Sequence, residues 1–349
     1  EHRRVTMPGY LVPKLAGVEG VFAVYDDSTG PEPVGALPGG PATVKSGQIH
    51  GATDAWERGY NGSGVRVAVA DSGIDFAHPD LNGTQAILDD PTSPYDGWGI
   101  MHDPISLVRW QRDGLAYPSA GNSWWVETTN LDVDADNDSM LDTQGWNISG
   151  ISPSISGNYH FGLHSDSKLI DRAGGDVIIL VVDTQVTGVY DTVFIDIDRD
   201  GEFGDESPVN KANPTYGRDT NSDGLWDQSA GLLWWISDGI NGVPYGDIYA
   251  ARNGYQNRIA GAGDLILLML NDASEAGGNH GTLCASAVAA QGTIGNGAVL
   301  GMAPGADLIA VSNLYAGGSW LDSFRFIAEG YDGNATTSHD QGQIGSFSF

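Results

Sequence analysis

Two short segments of the 349-residue sequence contain residues suited to acid–base catalysis. In the first, the apolar run Val65–Ala70 is followed directly by Asp71-Ser72-Gly73. In the second, His280 stands between Gly278-Asn279 and Gly281-Thr282. A carboxylate buried at a strand end can fix the tautomer of an imidazole and stabilise the imidazolium that forms during proton transfer. Asp71 and His280 therefore predict nucleophilic catalysis with a histidine base, although Asp-Ser-Gly alone can also be a capping turn.

Three acidic loops place oxygen atoms at alternate positions, as loops that bind Ca²⁺ do. The first contains Asp132, Asp134, Asp136, Asp138 and Asp142, the second Asp196, Asp198, Asp200, Asp205 and Glu206, and the third Asp219, Asn221, Asp223 and Asp227. Gly201 and Gly224 stand at the sixth position of the second and third loops, where a calcium loop turns sharply. Calcium is therefore the predicted cofactor, and solvated acidic turns are the alternative.

The elements that must position the catalytic pair have an α/β pattern on both sides of a long β-rich segment. A buried strand at Val65–Ala70 predicts a parallel sheet, and functional residues collect at the carboxyl ends of such strands. The other predicted elements of this part are helices at Ala52–Gly59, His280–Gln291 and Ser319–Tyr331 and strands at Asp307–Asn313 and Gln343–Phe349. The predicted fold is an α/β parallel sheet flanked by helices, with an all-β, sandwich-like insertion.

Residues 89–274 form the predicted insertion. Its short apolar runs, separated by Gly, Asn and Asp turns, predict strands at Tyr159–Leu163, Val177–Asp183, Val193–Ile197, Leu232–Ile236 and Leu265–Leu270. The pairs Trp124-Trp125 and Trp234-Trp235 could stack on sugars or flank a cleft. We favour a place in the core of a small β module, because large aromatic residues contribute most to such cores.

Composition excludes several classes of protein. With 16 Lys and Arg against 45 Asp and Glu, the net charge is −29, which argues against contact with nucleic-acid phosphates and suits cations. The longest apolar runs have strand length, so no membrane span is predicted. Cys284 is the single cysteine, which excludes an intrachain disulfide and a zinc site made of several cysteines. No His-Glu-x-x-His spacing occurs, so a metal-dependent hydrolase is a weak alternative.

The sequence resembles the subtilisin-like serine proteases, or subtilases. The resemblance rests on the Asp71 motif with His78-Pro79-Asp80-Leu81, on His280-Gly281-Thr282, and on Gly301–Ala306, and it covers residues 48–88 and 275–349. It implies that Asp71 orients the base and that His280 acts as general base and then general acid. It also implies a secreted or cell-surface endopeptidase that acts on peptide or protein substrates.

The resemblance implies further sites and a division of the chain. Leu314, Tyr315, Ala316, Gly317 and Gly318 resemble the edge strand that pairs with substrate backbone, Ser348 and Phe349 resemble a wall of the specificity pocket, and Asp80 matches a calcium ligand. Residues 1–27 resemble the end of an inhibitory propeptide, 28–47 a linker with the maturation region, 48–88 and 275–349 two parts of the core, and 89–274 the calcium-binding β insertion.

Three departures from the family pattern are present. The family usually continues His-Gly-Thr with His-Val-Ala-Gly, whereas Leu283-Cys284-Ala285-Ser286 follows here. Asp71 and His280 are far apart in sequence, and no Gly-Thr-Ser-Met-Ala nucleophile segment occurs. We therefore expect an N-terminal fragment that is inactive alone, with the serine downstream. The alternative is a non-catalytic, calcium-stabilised surface or adhesion protein on a subtilase scaffold.

Overall fold

The computed structural model describes residues 47, 50–116, 123–164, 166–270, 280–294, 297, 299–312 and 320–348. Contacts divide the chain into Glu1–Ala42 and Thr43–Phe349. The predicted propeptide end, 1–27, and the predicted linker apart from Gly47 lie outside the described residues.

The described helices and strands alternate along the chain. In chain order they are α1 (Ala52–Glu57), β1 (Arg66–Asp71), β2 (Met101–His102), α2 (Pro104–Asp113), β3 (Ser123–Glu127), β4 (Asn130–Val133), β5 (Asn158–Leu163), α3 (Ser167–Ala173), β6 (Ile178–Val182), β7 (Thr192–Asp196), β8 (Val209–Asn210), β9 (Thr215–Arg218), β10 (Gln228–Ile236), α4 (Gly246–Asn253), β11 (Leu265–Met269), α5 (His280–Ala289), β12 (Asp307–Ser312), α6 (Trp320–Glu329) and β13 (Ile344–Phe347).

A parallel sheet with the order β13-β1-β12-β2 contains Asp71 at the end of its strand β1. In β1 every residue from Val67 to Asp71 is buried, as expected for a strand covered on both faces. Parallel pairing with β12 puts Asp71 opposite Ser312, and pairing with β13 puts Ala70 opposite Phe347. The α/β fold class predicted from the sequence is confirmed.

Two antiparallel sheets, β3-β11-β10-β9 and β4-β5-β6-β7-β8, contain the described strands between β2 and β12. Strand β6 is buried on both faces. Ile179 and Val181 belong to the main hydrophobic core, whereas Leu180 and Val182 pack in a second cluster with Phe203. Alternate side chains of β6 thus point to opposite faces of the strand, and each face packs in a different hydrophobic cluster.

Helices α2, α3 and α4 within residues 89–274 were not predicted, and β2 from this segment joins the parallel sheet. The start of α2 has clear local causes. Asp103 Oδ1 accepts hydrogen bonds from the backbone N–H groups of Ile105 and Ser106, and Pro104 occupies the first turn. These capping interactions thus start a helix within a segment whose composition predicts strands. The boundaries 89 and 274 remain predictions.

Trp124, Trp125, Trp234 and Trp235 are all buried, which confirms their interpretation as core residues. Trp125 and Trp234 meet edge to face with ring centroids 6.2 Å apart. Among the described helices, none is both long enough and apolar enough to cross a bilayer.

His102 supplies a prediction about acid stability. Its ring is buried and stacks on Phe326 with centroids 4.5 Å apart, and burial lowers its pKa from 6.5 to about 3. Below pH 6.5 His102 is protonated in the unfolded chain but stays neutral in the folded chain. The free energy of unfolding therefore falls as the pH drops towards 3. We expect His102→Phe to reduce this loss by roughly 1 kcal/mol per pH unit. Urea unfolding from pH 7 to pH 4 measures it, and an unchanged slope would contradict the assignment.

Candidate active site

Strand β1 and helix α5 bring Asp71 and His280 together across 209 positions of sequence. His280 Nδ1 lies 2.9 Å from Asp71 Oδ1 and 2.8 Å from Asp71 Oδ2. Asp71 is 1% exposed, whereas the side chain of His280 is 43% exposed. A buried carboxylate thus faces one ring nitrogen of a histidine that reaches the surface. This is the geometry in which a carboxylate orients a general base.

The backbone at the start of α5 lies in close contact with the backbone that follows β1. The backbone N–H of Gly281 donates to Ser72 Oγ at 3.0 Å. A Cβ atom at Gly281 would lie 2.0 Å from the carbonyl oxygen of Gly73, which itself has a φ of 108°. Glycine at 281 is therefore required for the first turn of α5 to approach the end of β1 closely enough for His280 to reach Asp71.

Asp75 connects three parts of the site. Its backbone N–H donates to Thr282 Oγ1 at 3.0 Å, and its Oδ1 accepts from Ser229 Oγ at 2.7 Å. Ser229 belongs to β10 in the β-rich segment, so the loop after Asp71 is tied both to α5 and to that segment. The roles of Ser72, Asp75 and Ser229 were missed from the sequence. Ser72 and Asp75 stand within the Asp71 motif, but nothing in the sequence signals the contact with Ser229.

Cys284 lies one turn after His280 on α5. Its Sγ is 3.7 Å from His280 Nδ1 and 4.0 Å from Nε2. Burial, and then the negative charge of Asp71, raise the pKa of the thiol. The thiol is therefore held protonated near neutral pH, which agrees with its interpretation as a helix residue rather than a nucleophile.

Of the predicted substrate-binding residues, the structure describes only Ser348. Its side chain hydrogen-bonds with Cys284, so it lies beside the histidine-bearing helix. The remaining predicted substrate residues, Leu314, Tyr315, Ala316, Gly317, Gly318 and Phe349, lie outside the described residues. Their roles remain predictions.

The second acidic loop fits a cation best. Oxygen atoms of Asp196, Asp198 and Asp200 lie within 4.8 Å of one another. Asp196 is fully buried. Its Oδ1 atom and the Oδ1 atom of Asp198 are both buried and have no hydrogen-bond partner. Burial and the neighbouring carboxylates raise the pKa of Glu206 to about 8. Asp205 is exposed and is not part of this group. The buried oxygens are unsatisfied in a way that a hard cation would relieve.

The other predicted ligands are arranged differently. Asp134, Asp136 and Asp142 form a group within 4.8 Å, but Asp132 instead accepts backbone hydrogen bonds from Val133, Thr143 and Gln144, and Asp138 accepts one from Met140. In the third loop, Asp219 accepts from four backbone N–H groups, Asn221 accepts from Asp223, and Asp227 binds Thr220 and Asn221. Calcium at these two loops remains a prediction.

Asp80 is buried and ties two segments together. Its Oδ1 accepts the backbone N–H of Ile294 at 3.0 Å, and its carbonyl oxygen accepts that of Gln291 at 2.9 Å. Asp80 therefore orders the turn that follows α5. Its role as a calcium ligand remains a prediction.

Comparison with known proteins identifies the family of the chain. The model of the subtilase family matches residues 62–333. Over 92 residues the chain is 36% identical to Subtilisin E of Bacillus subtilis, covering 26% of this chain and 23% of that protein. Over 83 residues it is 35% identical to the Minor extracellular protease Vpr of Bacillus subtilis, covering 22% and 10%.

A longer match is to Pyrolysin of Pyrococcus furiosus, with 29% identity over 174 residues, which are 46% of this chain and 12% of that protein. The matched part is thus between 10% and 23% of the length of these three relatives. No solved structure matches the chain.

Proposed function

Because the chain belongs to the subtilase family of serine proteases, we propose that Asp71 and His280 are the acid–base pair of a secreted endopeptidase. The observation that carries this proposal is the approach of His280 Nδ1 to both carboxylate oxygens of the buried Asp71, at 2.9 and 2.8 Å. The family motif residues and this contact coincide at the carboxyl end of β1, where parallel α/β sheets place their functional groups.

In the proposed mechanism, His280 Nε2 removes the proton from a serine hydroxyl as its oxygen attacks the peptide carbonyl carbon. Asp71 keeps the proton on Nδ1 and stabilises the imidazolium. The imidazolium then donates its proton to the leaving amine, and an acyl-enzyme remains until water releases it. Since the sequence has no Gly-Thr-Ser-Met-Ala segment, the proposed nucleophile belongs to a region outside these 349 residues.

The proposed substrates are peptides and proteins that bind in extended form. Strand β13 lies beside β1 in the sheet, and Ser348 follows it next to Cys284. This supports a substrate pocket wall at Ser348 and Phe349. We further propose that residues 1–27 are the end of an inhibitory propeptide and that the mature enzyme acts outside the cell. One matched relative, the Minor extracellular protease Vpr of Bacillus subtilis, is extracellular by its name, which supports that location.

Calcium is the proposed cofactor, and the Asp196–Glu206 loop is its best-supported site. Asp196, Asp198 and Asp200 would hold the ion with the buried Glu206 nearby. An ion there would neutralise carboxylates that now face one another and would add a crosslink in a chain with one cysteine.

Asp196→Asn tests whether Asp196 binds Ca²⁺ or only packs in the folded protein. In wild-type protein, Ca²⁺ at a hundred times its dissociation constant should stabilise the fold by about 3 kcal/mol. The variant should lose most of that increment, while its stability in excess chelator stays equal or rises because a buried charge is gone. Thermal unfolding with and without Ca²⁺ measures both, with the exposed Asp54→Asn as control. An intact calcium increment in Asp196→Asn would place the ion elsewhere.

The catalytic proposal is tested with a fluorophosphonate probe, which labels an activated serine. The full-length protein that contains this chain should be labelled in Ca²⁺, and His280→Ala should abolish labelling. His50→Ala, at an exposed histidine, should label like the wild type. No labelling of folded, propeptide-free protein would contradict the proposal and support the non-catalytic surface protein instead.

A further inference from the structure

A further cluster of side chains that could bind a metal lies at the opposite end of β1 from Asp71. Arg66, the first residue of β1, donates from its Nε to the carbonyl oxygen of Gln341, and its backbone N–H donates to Gln343 Oε1. These bonds hold the loop between α6 and β13 at the amino end of the sheet. Arg66 and Asp71 are five residues apart along the strand, roughly 16 Å. The cluster is therefore separate from the catalytic pair.

The cluster consists of Asp332, His339 and Asp340. One ligand atom from each lies within 4.8 Å of the other two. They border a cleft of about 620 Å³, which is also lined by Asp90 and Asp247. Among the described residues that line this cleft, none is Lys or Arg. Four carboxylates and one imidazole thus face the cleft without a cationic side chain between them.

Asp340 shows that the cluster is more than a set of surface acids. It is 1% exposed, and its Oδ1 is buried with no hydrogen-bond partner, while Oδ2 accepts the backbone N–H of Asp332 at 3.1 Å. A buried carboxylate oxygen without a partner is costly unless a cation compensates it. The carboxylate also fills the space beside Gly330, where a Cβ atom would lie 2.2 Å from its Cγ. The backbone is thus shaped around this side chain.

Asp90 adds a feature common around metal-bound histidines. Its Oδ2 lies 3.3 Å from His339 Nε2, and its Oδ1 accepts from the backbone N–H and hydroxyl of Thr92. In metal sites, a ligating histidine usually gives its second ring N–H to a carboxylate, which fixes the tautomer and the ring orientation. Asp90 is placed to do this through Nε2, which would leave Nδ1 to bind a metal.

From these contacts we propose that Asp332, His339 and Asp340 bind a first-row divalent transition metal of the Zn²⁺ type, with Asp90 positioning His339. The donor set decides the class of metal. Mixed imidazole and carboxylate ligands suit Zn²⁺ and its neighbours, whereas Ca²⁺ takes oxygen ligands alone. All three proposed ligands lie in the loop after α6, and the contact of Asp90 with His339 connects this loop to the segment that contains Asp90.

Zn²⁺ binding is best measured by calorimetry in saturating Ca²⁺, which occupies the oxygen-only sites. The background should be His280→Ala, because Asp71, His280 and Cys284 form another group that could hold Zn²⁺. We expect one Zn²⁺ per chain. His339→Gln and Asp340→Asn should each weaken binding more than tenfold, and Asp90→Asn by roughly 10- to 100-fold. The exposed Asp54→Asn should bind like the background protein.

A second measurement covers the case in which Asp340→Asn disturbs folding. Co²⁺ added in place of Zn²⁺ should give visible absorption bands that disappear in His339→Gln, whose side chain lies at the edge of the cleft and is 35% exposed. Absence of Zn²⁺ binding, binding that His339→Gln leaves intact, or displacement of Zn²⁺ by millimolar Ca²⁺ would each overturn the proposal.

Discussion

Asp71→Asn is expected to lower kcat for peptide hydrolysis by the full-length protein about 10⁴-fold, with little change in stability. Both oxygens of Asp71 face His280 Nδ1, so the carboxylate can accept only the tautomer with the proton on Nδ1. An asparagine in the same place can present its NH₂ group to Nδ1 instead. That arrangement would favour the opposite tautomer and remove the base from Nε2.

Hydrolysis of a chromogenic peptide measures this effect, and urea unfolding shows whether the fold is kept. Asp54→Asn, an exposed Asp-to-Asn change, is the matched control and should keep full activity. A loss of less than tenfold in folded Asp71→Asn protein would show that Asp71 does not orient the base.

Gly281→Ala is expected to cost about 3 kcal/mol of folding stability and to abolish activity. The new methyl group would lie 2.0 Å from the backbone oxygen of Gly73, which no side-chain rotation can relieve. The helix must then move away from β1, and this breaks both the bond from Gly281 N–H to Ser72 Oγ and the contact of His280 with Asp71.

Leu283→Ala is the matched control for this change, because it places the same residue on the same helix at a position that is 59% exposed. It should cost less than about 0.5 kcal/mol, as substitutions at exposed positions usually do. Equal urea midpoints for the two variants would refute the close approach of α5 and β1.

Local patterns were sufficient to single out Asp71 and His280, which the structure brings together, and to predict the main elements of the parallel sheet. The run Val65–Ala70, apolar except for Arg66, predicted β1 because a strand buried on both faces is almost entirely apolar, and His280 was identified by its motif. The helix α2 was missed although Asp103, Pro104 and Gly114 are standard capping signals, since the tryptophans and glycines around it favoured strands. At α2, the capping residues predict the structure better than the composition of the surrounding segment does.

Contacts between distant segments that carry no recognisable motif could not be predicted. Nothing at Ser229 indicates that its hydroxyl meets Asp75, 154 residues away. Likewise, nothing near His339 in its polar loop indicates that Asp90 lies 3.3 Å from its ring, because the two residues are far apart in sequence. The acidic loops show a related limit. Alternating carboxylates are alike in sequence, but only the structure shows that the buried Oδ1 of Asp196 has no partner while the carboxylate oxygens of Asp219 are used by backbone N–H groups.

The order of the parallel sheet also affects how the protein is made. Strand β1 pairs with β12, whose Asp307 lies 241 residues after Arg66, and with β13, which comes later still. At about 5–20 residues per second, a ribosome needs roughly 10 to 50 s to synthesise the intervening chain. During that time β1 has neither neighbour, so its backbone edges stay unpaired, whereas β5, β6 and β7 can pair as soon as they emerge. Assembly of Asp71 with His280 is therefore a late event in biosynthesis, and the nascent chain spends this interval with an unpaired apolar strand that chaperones would have to shield.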